Sequence, residues 1–114
     1  MRPKLREHFE SELQQARQAI GGTDDRLVWN GLARAHILGQ FDVGPHLRVH
    51  IWMFLFALKT LNTREIFGQI PRLLLAAPGS LFKKAPRGNT GLSDVGIFQP
   101  MNIPEDLQSI LNEK

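Results

Sequence analysis

The first twenty residues alternate apolar and charged positions with the period of an amphipathic helix. The apolar positions recur at steps of three and four residues: Leu5, Phe9, Leu13, Ala16 and Ile20. Such steps place the side chains on one helical face. Pro3 is tolerated in a first turn, and Gly21 and Gly22 favour termination. The pattern predicts a helix over residues 3–20.

Two further helices are predicted from similar signals. Thr23 or Asp24 can cap the second helix, which continues to about Gly39. Its apolar positions again have helical spacing: Val28, Leu32 and Ala35. The link that follows is short, and Pro45 suits the first turn of a third helix that runs to about Leu61.

A fourth helix is predicted after Asn62 or Thr63, either of which can cap it. Glu65 lies near the positive end of its dipole. Pro71 is expected to bend or split this helix, and Pro78 followed by Gly79 is expected to end it. Because the links between the four helices are short, neighbouring helices are expected to be antiparallel.

The pattern changes after Ser80. The stretch "LFKKAPRGNTGLSDVGIFQPMNIP" has no clear period but is too apolar for a free tail. We expect an extended strap over the helices, followed by a short last helix opened by Pro104. The predicted fold is all-α and forms a single domain over residues 1–114, with a bundle over 1–79 and the strap and terminal helix over 80–114. The two helical hairpins are similar in architecture to tetratricopeptide repeats, although the consensus of that repeat is absent.

Composition narrows the possible chemistry. The 114 residues include no cysteine, which excludes disulfides and thiolate metal ligands. Any metal would therefore bind through imidazole and carboxylate groups. The net charge is +3, and the basic residues are scattered instead of lying along one face, so nucleic-acid binding is not expected.

The apolar segments argue against a membrane span and suggest self-association. The longest apolar run, residues 49–58, is about half the ~20 residues that a bilayer requires. The charged N-terminal stretch lacks the apolar region of a signal peptide, so a cytoplasmic location is expected. Helix three has little polar surface and must be covered on several sides, which makes a homodimer a reasonable prediction.

Three of the four histidines fall between residues 36 and 50. On a helical wheel His50 lies about 40° from His46, whereas Arg48 lies about 200° from it. His46 and His50 therefore face the core. His36 lies about 40° from the inward stripe of helix two, near the end of that helix. The tight link between the two helices predicts that all three imidazoles lie at the same end of the bundle.

Helix one begins at that end as well, and Glu12 points inward better than His8 does. Three imidazoles and a carboxylate, contributed by His36, His46, His50 and Glu12, form a credible ligand set for Zn²⁺ or another divalent transition metal. The fourth ligand stays open between Glu12, His8 and water. Acceptors that could orient the imidazoles are Gln40, Asp42 and Gln69.

Other interpretations of the same residues compete with a metal site. A core histidine is commonly hydrogen-bonded to a carbonyl or carboxylate, and a polar cavity needs no metal. A metal-free helical-repeat module could instead bind a protein partner. A metal-dependent hydrolase would need an open coordination position and a cleft. No catalytic residue is predicted, since the serines lack a nucleophile motif and "RGNTG" lacks the context of a phosphate-binding loop.

Several segments together resemble a small bacterial family, a domain of unknown function of about this length. They are "RAHILGQ", "HLRVH", "APGSLFKKAPRGNTG" and "FQPMNIPEDL". The family motifs include an Ala-His-x-Leu-Gly-Gln segment, a His-x-x-x-His segment and a Gly-Asn-Thr-Gly turn. His36, His46 and His50 fall at its histidine positions, and Asn89 at its turn asparagine. The resemblance implies no activity that can be transferred to this chain.

Overall fold

The computed structural model describes residues 1–113 and consists of five α-helices joined by short links and one long irregular segment. The helices are α1 (Pro3–Ala19), α2 (Asp25–Gly39), α3 (Val43–Thr60), α4 (Thr63–Leu81) and α5 (Glu105–Asn112). No strand occurs among these residues. The all-α prediction is confirmed, and α1 pairs with α2 and α3 with α4 as adjacent hairpins.

The helix caps follow the sequence signals. The Asp24 side chain accepts a hydrogen bond from the backbone N–H of Arg26 at 3.0 Å, which caps α2. The Asn62 side chain accepts from the N–H of Glu65 at 3.2 Å and caps α4. Helix α3 begins at Val43, two residues before the predicted start, so Pro45 lies within its first turn.

The predicted end of α4 was wrong. The helix continues through Pro71 and Pro78 as one element and ends at Leu81. The last turn is held because the backbone N–H of Phe82 donates to the Pro78 carbonyl at 3.0 Å. Ser80 in that turn is buried and hydrogen-bonded to the end of α2, a tertiary contact that outweighs the local preference of proline for a helix end.

The apolar core lies between the two hairpins and is closed by α5. The predicted α1 stripe is buried over its first four positions, from Leu5 to Ala16. The largest fully buried apolar side chains of the core come from four helices: Phe9, Leu13, Val28, Leu32, Val49, Met53 and Leu107. Burial of each such side chain contributes about 1.5–3 kcal/mol, so this cluster supplies the main driving force for the fold.

Helix α4 presents a polar face to the protein interior. Its buried residues are Glu65, Gln69, Arg72, Ala76 and Ser80. Large apolar residues of the same helix point outward, and Phe67 and Leu74 are 71% and 75% exposed. This orientation is the reverse of an ordinary amphipathic helix. The interior beside α4 must therefore contain polar partners.

The irregular segment 82–104 provides part of those partners and matches the predicted strap. Its backbone binds buried polar side chains along its length. The Pro86 carbonyl accepts from Gln40, the Gly91 carbonyl accepts from Gln69, and the Val95 carbonyl accepts from Arg72. In addition, the backbone N–H of Ser93 donates to the Glu65 carboxylate at 2.9 and 3.0 Å. The strap is thus attached to the bundle by directional bonds as well as by apolar contact.

None of the helices within residues 1–113 combines the length and the apolar content that a bilayer crossing requires.

Candidate metal centre

Three imidazole nitrogens converge on one point inside the bundle. The Nε2 atoms of His36 and His46 are 3.0 Å apart, those of His36 and His50 are 3.1 Å apart, and those of His46 and His50 are 3.2 Å apart. The rings are inclined to one another by 74°, 79° and 51°, so no pair of them is stacked face to face. All three side chains are buried. The helical wheel and the short link predicted that these imidazoles face inward at one end of the bundle, and the three buried rings agree with that orientation.

Local structure explains this convergence. His46 and His50 are four residues apart in the first half of α3, so their side chains lie one above the other on one face. His36 lies in the last turn of α2. Only residues 40–42 separate α2 from α3, which keeps the end of one helix beside the start of the next.

Each imidazole ring is held in place by a hydrogen bond at its other nitrogen, Nδ1. His36 Nδ1 lies 2.6 Å from the Asn89 carbonyl oxygen of the strap. His50 Nδ1 lies 2.7 Å from Gln69 Oε1 of α4. His46 Nδ1 lies 3.1 Å from the Ala76 carbonyl and 2.8 Å from Ser80 Oγ, which also belong to α4. A hydrogen-bond partner at Nδ1 sets both the orientation of the ring and the nitrogen that carries the proton.

For His36 and His46 these partners dictate the tautomer. A carbonyl oxygen can only accept, so Nδ1 of His36 must carry a proton for Asn89. Ser80 donates its hydroxyl proton to the Gln40 carbonyl at 2.6 Å, so its oxygen accepts from His46. The Ala76 carbonyl leads to the same assignment.

The tautomer of His50 follows from the amide of Gln69. The Gln69 Nε2 donates to Glu65 Oε1 at 3.2 Å and to the Gly91 carbonyl at 2.9 Å, both of which are acceptors. The Oε1 atom therefore faces His50 and accepts from its Nδ1. Because all three imidazoles carry their proton on Nδ1, all three Nε2 atoms present lone pairs to one another.

Burial keeps these imidazoles neutral. It lowers the pKa of His46 to about 4, with the charge of protonated His50 acting in the same direction. Burial likewise lowers the pKa of His50 to about 4 against the opposing effect of its bond to Gln69. The pKa of His36 lies well below its ordinary value, mainly through burial and then through its two histidine neighbours. At neutral pH the group consists of uncharged imidazoles, which is the form that binds metal ions.

The spacing of the nitrogens suits one metal ion. Imidazole nitrogen binds Zn²⁺ at about 2.0–2.1 Å, and three nitrogens 3.0–3.2 Å apart can all reach a single ion at that distance. The three histidines could therefore hold a divalent ion and leave further positions of that ion open.

The structure does not bring the expected carboxylate into this group. Glu12 is bound to Arg34, whose Nε and Nη2 donate to its two oxygens at 3.0 and 2.9 Å. Arg34 also bridges to Asp106 of α5 at 2.5 Å. His8 lies near the surface, 3.7 Å from Glu113. The metal-competent group among residues 1–113 is His36, His46 and His50, and neither Glu12 nor His8 belongs to it.

Of the three expected orienting acceptors, the structure places only Gln69 against an imidazole. The Gln40 side chain donates to the strap at Pro86, and the Asp42 carboxylate lies 3.3 Å from the amino group of Met1. Sequence reasoning missed Ser80, because it placed the end of α4 before that residue. The spacing of Gln69, Arg72, Ala76 and Ser80 along one helical face is the signal that could have identified it.

Comparisons with known proteins assign the family of the chain. Neither the curated proteins nor the solved structures gave a match. A family described as "Protein of unknown function (DUF3703)" matches residues 3–111, which is nearly the whole length and includes the three histidines, Gln69 and Ser80. The chain therefore belongs to DUF3703.

Proposed function

We propose that this protein binds one divalent transition metal ion through the Nε2 atoms of His36, His46 and His50, and that it serves in metal handling or sensing. The observation that carries the proposal is the meeting of three lone pairs 3.0–3.2 Å apart. Two acceptors cannot form a hydrogen bond with each other, so without a cation this arrangement leaves three buried acceptors unsatisfied. A metal ion satisfies all three at once.

Zinc is the first candidate for the ion. Imidazole nitrogen suits Zn²⁺, Cu²⁺ and Ni²⁺, and three-histidine sites with an open position are a common zinc arrangement. Each imidazole already has the second hydrogen bond that metal-bound histidines normally have. The rings are therefore held in a ligating orientation before the ion arrives.

The surroundings of the three Nε2 atoms favour a metal-binding role over a catalytic one. The metal-competent group among the described residues contains no carboxylate or fourth histidine that could act as a general base beside a bound water. The nearest carboxylate along α4, that of Glu65, is committed to Ser93 and Gln69. A hydrolase with this ligand set would lack the protein group that moves the proton.

The test is a metal titration of protein purified without a histidine tag and stripped with a chelator. Co²⁺, which reports its own coordination by visible absorption, and Zn²⁺ should each bind at close to one equivalent. The double variant His46→Ala/His50→Ala should lose that equivalent. The matched control His8→Ala removes a half-buried imidazole outside the three-histidine group and should retain the bound equivalent. Added zinc should also raise Tm, since an ion that binds only the folded form stabilises it.

Much less than one equivalent of metal in the wild type, together with an unchanged Tm on addition of zinc, would contradict the proposal. Equal metal loss from His8→Ala and from the double variant would contradict the assignment of the ligands.

The second candidate is a metal-free interaction module, and the exposed apolar surface of the second hairpin favours it. Exposed residues with helical spacing lie on α3 and α4: Ile51, Leu55, Leu58, Phe67, Ile70 and Leu74. Several exposed apolar side chains on one pair of helices are more than the scattered single residues of an ordinary surface, and they favour a protein contact there. A second copy of the chain offers an equally apolar face, so we propose a homodimer as the first partner. Light scattering should then give twice the 12.9 kDa of one chain.

A further inference from the structure

A cavity of about 210 Å³ adjoins the three imidazoles. One side of it is formed by His36, His46 and His50. The other walls are mostly apolar and come from α4 and the strap: Leu75, Ala76, Pro78, Phe82, Ile97 and Phe98. Phe82 and Phe98 are 66% and 72% exposed, so they lie at the rim of the cavity. A metal ion on the imidazoles would therefore have a small, largely apolar space beside it.

The charged groups around this cavity are positive. Arg72 and Lys84 are the charged residues that line it, and no carboxylate among residues 1–113 does so. Arg72 is more than nine-tenths buried, and it donates to the carbonyls of Gly68 and Val95 at 2.8 and 2.7 Å. Its Nε–H is buried and has no hydrogen-bond partner within the described residues.

The charges around the proposed ion indicate which kind of ligand fits the cavity. Three neutral imidazoles leave the full 2+ charge on a bound ion. Lys84 adds positive charge beside it, as does Arg72, whose charge is partly offset by the carboxylates of Glu65 and Asp94. Placing that charge next to apolar walls is costly unless an anion neutralises part of it. No carboxylate among residues 1–113 lines the cavity, and that of Glu65 is bound to Ser93 and Gln69, so an anion in the cavity has to come from solution.

We propose that the cavity takes a small organic carboxylate with an aliphatic or aromatic body. This inference rests on the proposed metal site. The carboxylate oxygen occupies an open position of the ion, the apolar body lies against Leu75, Ile97 and the rim phenylalanines, and the two cationic side chains favour the negative charge. The volume is below the ~300–1,000 Å³ of drug-sized sites, which points to a compact ligand.

The test is a spectroscopic titration of the Co²⁺-loaded protein with benzoate. Benzoate should change the visible cobalt spectrum and saturate, with a Kd at least tenfold lower than that of acetate, which lacks the apolar body. Benzyl alcohol and benzylamine have the body without the negative charge and should leave the spectrum unchanged. Calorimetry with the Zn²⁺-loaded protein should give the same order of affinities.

Variants locate the ligand. Lys84→Gln replaces an exposed lysine at the cavity and should weaken benzoate binding about threefold with the metal stoichiometry unchanged. The matched control Lys59→Gln lies on α3 away from the cavity and should have no effect. Arg72→Gln should weaken benzoate binding at least tenfold.

The outcomes separate the two proposals. If no cobalt spectrum develops, the metal site itself is wrong. If cobalt binds at one equivalent but benzoate does not change the cobalt spectrum and binds no more tightly than acetate, the metal site stands and the carboxylate proposal is overturned. Equal benzoate binding by the metal-free protein would also overturn it, because the ion would then play no part.

Discussion

Gly91 of the strap lies directly against the imidazole of His36. A Cβ atom placed on Gly91 would be 2.6 Å from Cδ2 and 2.9 Å from Nε2 of that ring. Gly91 also has a φ of +81°, in the left-handed region. The strap is thus packed so closely on the three-histidine group that this position leaves no room for a side chain, and the contact is one of the features that hold the His36 ring in place.

Gly91→Ala should disturb both stability and metal binding. We expect a loss of unfolding free energy of about 2 kcal/mol or more, because the left-handed backbone alone costs an L-residue about 1–2 kcal/mol and the clash adds to it. Displacement of the His36 ring should lower zinc affinity at least tenfold. Chemical denaturation and calorimetry measure the two effects. The control Gly44→Ala has open space around its Cβ, lies in the first turn of α3 and should be neutral or stabilising.

Gln69→Leu should weaken the metal site more than Ser80→Ala does. Loss of the Gln69 side chain leaves His50 Nδ1 without its acceptor, and such losses typically reduce metal affinity 10- to 100-fold. After Ser80→Ala, the Ala76 carbonyl can still accept from His46, so affinity should fall by less than tenfold. The Gln40 carbonyl loses its Ser80 donor, at a cost to stability of about 1–3 kcal/mol. The exposed Ser109→Ala is the control, and the reverse order of affinities would contradict this assignment of roles.

Glu12→Gln tests whether Glu12 is a metal ligand. Because the structure binds this carboxylate to Arg34, we expect one equivalent of metal and an affinity within twofold of the wild type. The free energy of unfolding should fall by about 1 kcal/mol through loss of a partly buried ion pair. A metal analysis and a thermal melt suffice for the measurement. Loss of the ion from this variant would show that Glu12 reaches the metal in solution.

The metal-free protein should lose stability as the pH falls below about 6.5. The folded-state pKa of His46 and of His50 is about 4, whereas an unfolded imidazole titrates near 6.5. Between these values the unfolded chain binds more protons than the folded chain, so lower pH favours unfolding. Together the two histidines should lower the free energy of unfolding by at least about 2 kcal/mol between pH 7 and pH 5, and because the charge of one opposes protonation of the other, their contributions do not simply add. Urea unfolding at several pH values in the presence of a chelator measures this. Equal stability at pH 7 and pH 5 would contradict the burial of neutral imidazoles.

Much of the fold could be predicted because local signals and tertiary structure agree. The α1 stripe, the Asp24 and Asn62 caps and the opening of the last helix after Pro104 follow from spacing and capping chemistry that act within a few residues. The end of α4 could not be predicted in this way. The local preference of Pro78 and Gly79 was outweighed by a hydrogen bond from Ser80 to a residue forty positions away.

In the candidate site, too, some features follow from local sequence spacing and others from tertiary contacts. The sequence by itself determined which histidines face inward and that they share one end of the bundle, because helical rotation and a short link depend on spacing alone. Only the tertiary structure decided that Glu12 binds Arg34, that Gln69, Ser80 and the Asn89 carbonyl take the Nδ1 protons, and that the strap closes over the centre. These contacts join residues far apart in the chain, and their partners are selected by packing of helix faces against the strap, which periodicity within one helix does not encode.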